Sequence, residues 1–472
     1  MWGSIKRAAS ALAVVALLGA ASAACSPGNT TGVAGSGGSG AAASGAQVDN
    51  DASPGVTADS ITIGFLITDL GKVQEQLGFK QANYGGKEGV TAQINAIVNA
   101  VNANGGLGGR KVIADIKSYE GSQDSPEYAE SLCNSFTSDD QVFAVIFEGQ
   151  FQNNVRPCYT ARRTLMIDQG LFSKDQAEFE KFAPFLWSPT FPEYGSFLRT
   201  QMRELANSGW LQGSQGVAIV GVDSEVTRRQ IQNTVLPALT QAGVSKTATY
   251  FVDTSNVGSL GAGSTSALNG VASGGLDRIV VIGGSRILPI LVGSQEAATT
   301  KAKFAISSYD SPLFLQDNPG SVVASTLDGM VGFGFMPAGD IRDDPSLPFP
   351  DPAMPNQVLC KQIIDAAGAT PPEGVRTNYK SGLQYCDAAL FLKAVIDRAP
   401  KELTPQSFRD AAWQVSTAYS SSLNFGGTLQ PGKYSAATIG RVLVYDQACK
   451  NPVKDAVGCF QYRGQNVPFA DN

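Results

Sequence analysis

From Ser60 the chain opens an apolar, β-branched run, SITIGFLI, whose length fits a buried strand. Downstream, TAQINAIVNAVNA sets Ile94, Ile97, Val98 and Val101 at the spacing of a single helical face. KVIADIKSYE alternates like a strand, SPEYAESLCNSF reads as helix, and VFAVIFE is again a buried strand. The same texture returns in GVAIVGV, ATYFV and RIVVIGG, each beside a helix-length segment. Such β-α-β-α alternation predicts an α/β fold of parallel sheets with helices on both faces.

A chain of 472 residues is longer than one doubly wound sheet needs, so two such lobes are expected, the second beginning near GVAIVGV. After Pro337 the proline-rich stretch AGDIRDDPSLPFPDPAMPN is too long for a routine connection. Helices are expected over residues 357–367, 377–399 and 406–414, with RVLVYD as the last strand. The glycine-dense NANGGLGGRK looks at first like a phosphate cradle. Its glycines follow a helix and precede a strand, however, the reverse of a dinucleotide fingerprint. Gly105 or Gly106 suits a left-handed helix cap, with Leu107 tucked beneath the turn.

Composition narrows the chemistry. The chain has no histidine, which removes Ser-His-Asp and Cys-His catalysis and most zinc sites. A net charge of -6 argues against a nucleic-acid partner. No cofactor is expected.

The N-terminus reads as an export signal over residues 1–24. Two cations precede the short apolar run ALAVVALLGA and the small-residue stretch ASAAC. Residues 25–57 are Gly/Ser/Ala-rich, a flexible leash. Of seven cysteines, Cys25 stands at the cut, leaving Cys133, Cys158, Cys360, Cys386, Cys449 and Cys459 in an exported body where disulfides persist. Pairing of sequence neighbours is expected, 133 with 158, 360 with 386 and 449 with 459, with buried free thiols as the alternative. Ser22-Ala23-Ala24-Cys25 resembles a lipoprotein signal lipidated at Cys25, with serine where leucine is usual; plain secretion is the other reading.

ITIGFL, VNANGGLGGRKV, Cys133 and Cys158 around a strand–helix unit, GVAIVGVDS, RIVVIGG and YKSGLQYCDAALFLKAVIDRA together resemble a type I periplasmic solute-binding protein of the branched-chain amino-acid receptor family. That resemblance, over roughly residues 58 to 450, implies two doubly wound parallel-sheet lobes joined by a three-crossing hinge. Residues 58–190 and 336–428 would form one lobe, and 191–335 and 429–472 the other. It further implies a small-molecule ligand between the lobes and an ABC-type permease as partner. With the N-terminal signal, a monomer held at the outer face of the cell membrane is expected, or a secreted one, without enzymatic activity.

In open α/β sheets ligands bind beyond the carboxyl ends of strands. The residues there are Asp69, Gln150 and Gln169 in the first lobe, and Ser224, Ser285, Tyr309 and Asp310 in the second, with Phe151 or Trp187 as an apolar wall. Each also suits a turn or helix N-cap. Where the amino-acid receptors carry a short Ser/Ala/Thr-type set, this chain reads EGQFQNN and DQGLF. Amides both donate and accept, which fits a neutral or mixed polar ligand as well as a zwitterion. A sensor without transport is the second reading. An exported hydrolase using carboxylates such as Asp343 and Asp344 is the third.

Overall fold

The first apolar run becomes β1 (Ser60–Asp69), in which Ile61, Ile63, Phe65, Leu66 and Ile67 are buried. In the computed structural model, which describes residues 53–73, 85–149, 152–284, 287–342, 347–416, 419–450 and 458–470, β1 lies second in a five-stranded sheet. The other strands are β2 (Lys111–Glu120), β3 (Ala144–Phe147), β4 (Leu165–Asp168) and β5 (Leu186–Trp187), in the order β2-β1-β3-β4-β5 and all parallel. Parallel neighbours need crossovers. Helices Gly86–Ala103, Pro126–Asn134, Arg156–Ala161 and Gln176–Lys181 supply them.

A second sheet contains β6 (Val217–Val222), β7 (Thr247–Val252), β8 (Arg278–Ile282), β9 (Lys303–Ser307) and β10 (Val331–Gly334), again mutually parallel. β11 (Ile439–Asp446) and β12 (Cys459–Pro468) extend it as an antiparallel hairpin, giving the order β12-β11-β10-β9-β8-β6-β7. RVLVYD is therefore not the last strand. β12 escapes the sequence pattern because its second half, Arg463-Gly464-Gln465-Asn466, is exposed on the sheet edge.

The chain passes between the sheets three times. It leaves the first after β5, returns between β10 and the helix Pro355–Ala366, and leaves again between the helix Pro405–Val415 and β11. Helices Pro355–Ala366, Lys380–Ile396 and Pro405–Val415 pack on the first sheet. Phe391 and Phe408 meet Trp187 there, and the Tyr385 hydroxyl donates to the Leu66 carbonyl at 2.8 Å. Trp187 thus sits in a lobe core.

Asp387 binds the first and third passages together. Its carboxylate accepts from Thr190 Oγ1 at 2.5 Å, Ser421 Oγ at 3.0 Å and the Ser422 N–H at 2.6 Å. Asn424 Nδ2 then donates to the Thr190 carbonyl at 2.9 Å. Ser188 and Ser435 add a parallel bridge.

The glycine stretch ends the Gly86–Ala103 helix as its order predicts. Gly105 and Gly106 have φ of +86° and +66°, the Gly106 N–H donates to the Val101 carbonyl at 2.9 Å, and Leu107 is buried. A side chain at Gly106 would collide with the Arg110 carbonyl. The three disulfides join Cys133 to Cys158, Cys360 to Cys386 and Cys449 to Cys459.

The lobes are also pinned beside the hinge. Asp175, N-cap of the Gln176–Lys181 helix, takes both Nε and Nη2 of Arg229 at 2.7 and 2.8 Å and Gln230 Nε2 at 2.9 Å. Arg229 belongs to the helix that follows β6 in the other lobe. Partial burial pushes the Asp175 carboxyl up, but donors from Arg229, Gln230 and the Glu178 N–H outweigh it and hold it below its usual range.

Two outcomes follow for stability. Replacing Cys360 and Cys386 together by alanine opens a loop of separation 26. It should lower the unfolding free energy by about 3 kcal/mol in denaturant titrations of the oxidised protein. Arg229→Gln should destabilise at neutral pH. A carboxyl held low contributes stability above its unfolded pKa and loses it as pH falls, so the gap between wild type and variant should close below about pH 4 in melting curves.

Candidate functional site

The carboxyl ends of the two sheets face each other. The loop after β4 reaches the loop after β8: Ser173 Oγ lies 3.0 Å from where a Cβ of Gly283 would stand, so only glycine leaves room for the hydroxyl. Tyr309, after β9, donates to the Pro192 carbonyl in the first passage at 3.4 Å.

Where the first sheet, the second passage and the Lys380–Ile396 helix converge, three charged side chains gather. Glu148 follows β3, Asp340 ends the short helix Pro337–Asp340 after β10, and Lys380 opens the long helix. The ammonium feels both carboxylates. Gly339 lies beside it: a Cβ there would be in ordinary contact with Lys380 Cε at 3.6 Å but would collide with Met336 Cε at 2.5 Å. Burial pulls the Lys380 ammonium below its ordinary pKa although both carboxylates oppose this. Burial pushes the Glu148 carboxyl up, against the Ser381 hydroxyl, Lys380 and the Tyr385 hydroxyl.

Asp340 is fully buried. Its Oδ2 accepts from Ser308 Oγ at 2.6 Å, the Met336 N–H at 3.1 Å and the Tyr462 hydroxyl, while Oδ1 has no hydrogen-bond partner. Burial raises its carboxyl to about 6 in spite of those donors. Asp310, also raised by burial, reaches about 7; Ser307 and the Gly284 N–H oppose the rise and Asp340 adds to it.

Beside this cluster, at the ends of β3 and β4, a small pocket is walled by Phe147, Val155, Met166 and Phe172, with Gln152, Asn153, Arg156 and Asp168 as its polar lining. Arg156 is buried between Glu178 at 2.5 Å and Asp168 at 3.0 Å, and Lys174 meets Asp168 at 3.1 Å and the Gly170 carbonyl at 3.1 Å. Burial lowers Lys174 to about 8 despite Asp168. The network is charge-balanced.

The residues expected from strand ends fall in different settings. Asp69 closes a turn by accepting from the Gly71 N–H at 2.9 Å. Gln169 is buried, and its Nε2 donates to the Gln384 carbonyl at 3.3 Å while Gln384 Nε2 donates back to the Gln169 carbonyl at 2.9 Å. Ser224 caps the helix Glu225–Gln230, accepting from the Thr227 N–H at 3.1 Å. Tyr309 sits in an aromatic cluster with Phe191, Tyr194, Phe197 and Phe335. Asp310 closes a capping box with Ser307. Gln150, Phe151, Ser285, Asp343 and Asp344 lie outside the described residues.

Glu148, Lys380, Asp340, Arg156 and Lys174 are absent from the strand-end expectations. Glu148 stands two residues before Gln150 and could have been found by the same rule. Nothing local to Lys380 signals that its helix returns to the end of β3. Among the described residues no cluster of His, Cys, Asp or Glu could hold a metal ion, and no helix is long and apolar enough to cross a membrane.

No family model and no curated protein matches the sequence. Solved structures do. A periplasmic binding protein type 1 from Bordetella pertussis aligns at 15% identity and TM-score 0.57, over 85% of this chain and 99% of its own. A fatty acid ABC transporter substrate-binding protein from Thermomonospora curvata aligns at 14% and 0.57, over 88% and 94%. A solute-binding protein of an ABC transporter from Rhodopseudomonas palustris, in complex with 3,4-dihydroxybenzoic acid, aligns at 11% and 0.58, over 87% and 98%. With two α/β lobes, three passages between them and these likenesses, the chain has the fold of the type I periplasmic binding proteins.

Proposed function

We propose that this protein is an extracytoplasmic solute receptor that captures a small polar molecule, an amino acid, amide or related compound, between its lobes and delivers it to an ABC-type importer. The observation that carries this reading is the convergence of Glu148 and Lys380 of the first lobe with Asp340 of the second passage, whose carboxylate accepts from Ser308 and Tyr462 of the other lobe. Structures sharing the fold belong to ABC transporter substrate-binding proteins, which supports the same reading. Residues 58–190 with 336–428 act as one lobe and 191–335 with 429–472 as the other. Only the closed form makes both sets of ligand contacts, so binding shifts the open–closed equilibrium, and the permease reads the closed shape. Export by residues 1–24, lipidation of Cys25 and the leash to residue 57 hold the monomer at the outer face of the cell membrane.

A melting screen with amino acids, amides, aromatic acids and sugars should find a ligand that stabilises the fold, by about 2.7 kcal/mol at a hundredfold excess over Kd. Solution scattering with that ligand should show a smaller radius of gyration; tight binding without compaction would sink the hinge mechanism. Cys25→Ala should move the expressed protein from the membrane fraction to the soluble fraction, and unchanged partitioning would argue against the lipid anchor.

A further inference from the structure

Three consecutive residues of the loop after β4 each hold the second lobe. Ser173 hydrogen-bonds to the Tyr194 hydroxyl, which also meets the Gly283 backbone after β8. The Lys174 carbonyl accepts from the Tyr194 N–H at 3.0 Å, at the start of the helix Tyr194–Asn207. That helix packs in the second lobe: Gln201 Nε2 donates to the Ile306 carbonyl of β9 at 2.9 Å, and Phe197 lies against Phe333 of β10. Asp175 takes the Arg229 fork and Gln230 Nε2 from the helix after β6. The Lys174 ammonium turns the other way, to Asp168 and Gly170 of its own lobe.

Each half of the Asp175 contact is set within its own lobe. Asp175 is oriented as an N-cap that accepts from the Glu178 N–H at 3.0 Å. Gln230 Oε1 accepts from Thr234 Oγ1 at 2.9 Å, which turns Nε2 toward Asp175. Glu225, one turn away, takes Arg229 Nη1 at 3.2 Å. Groups oriented in advance lose little freedom on joining. The Asp175 side chain is 3% exposed and that of Arg229 26%, so solvent and salt screen this fork less than a surface pair. The other charge contacts between the lobes are looser or run through the passages. Lys181 and Glu225 stand 3.9 Å apart and exposed. Arg342 of the second passage lies 3.4 Å from Asp317 in one lobe and 2.8 Å from Glu373 in the other. Lys380 acts on Asp340 through space, and Lys433 of the third passage on Glu193 of the first.

We propose that the Ser173–Asp175 loop and the Arg229–Gln230 edge of the facing helix form a latch that draws the lobes together whether or not a ligand is bound, with Arg229 setting the open–closed equilibrium. Lobes that part must undo the Arg229 fork, the Gln230 bond and the Ser173–Tyr194 contact, while the three passages stay intact. A ligand that meets only the closed form has an apparent affinity proportional to the fraction already closed. Arg229 is thus a positioning residue that tunes affinity without touching the ligand. The latch needs two lobes and a hinge, and no particular solute.

Small-angle scattering of the dialysed protein, with no ligand added, reads this equilibrium directly. The radius of gyration should rise from wild type through Arg229→Lys, which keeps the charge and loses the fork, to Arg229→Gln. It should be largest in Arg229→Glu, where two carboxylates face each other. Arg228→Glu, on the same helix, makes the same charge change but breaks a pair with Asp223, at 2.7 Å, inside one lobe; it should match wild type. Circular dichroism checks the fold of each variant, and the lysine and glutamine variants carry the test if the glutamate one does not fold. Equal radii across the Arg229 series overturn the latch and leave the pair a rigid brace. Equal expansion in Arg228→Glu also overturns it, because the change then follows net charge. No ligand enters the measurement, so a silent solute screen removes the receptor reading and leaves the latch to stand or fall by itself.

Discussion

The Asp387 carboxylate is the constraint on which the two-lobed arrangement hangs. Removing such a group from water costs several kcal/mol unless its lone pairs are filled. Here the donors come from Thr190, Ser421 and Ser422, residues of two segments that run between the sheets. The hinge passages are thereby fixed to a helix of the first lobe instead of only to each other. That helix carries Lys380, Gln384 and Asp387 at successive turns of one face. One stripe of side chains therefore serves both the pivot and the buried polar contacts at the ends of β3 and β4. Cys386, next to the pivot, ties the same helix to the neighbouring Pro355–Ala366 helix.

Much of the fold was legible because its signals are local. Strands buried on both faces read as continuous apolar runs, and β1, β3, β6 and β8 do so. The helix stop at Gly105 and Gly106 needed only a positive φ and a following strand. Cysteines pair with sequence neighbours because adjacent elements in this topology are adjacent in space. β12 was not legible, since an edge strand with one polar half loses the alternation that marks a strand.

The candidate site was legible only to the level of which strand ends to consider. The rule that ligands sit beyond the carboxyl ends points to the region of Gln169 and Glu148, but it does not say which polar groups the fold uses up for itself. Tyr309 went into an aromatic cluster and Asp310 into a capping box, both demands of local packing and backbone satisfaction. The charge balance around Lys380 depends on segments far apart in the chain, brought together by the return of residues 335–415 to the first sheet. No window along the sequence contains that information.

That return has a consequence for the order of events as the chain is made. The first sheet lacks its covering helices until residues 355–415 exist, and the second lacks its antiparallel edge until β11 and β12 do. Neither lobe can close its core on an N-terminal fragment, so nearly the whole polypeptide must be available before either is complete. Pairings of such long sequence separation are slow to form. A nascent chain of this protein remains open and threadable for longer than one built from two contiguous domains.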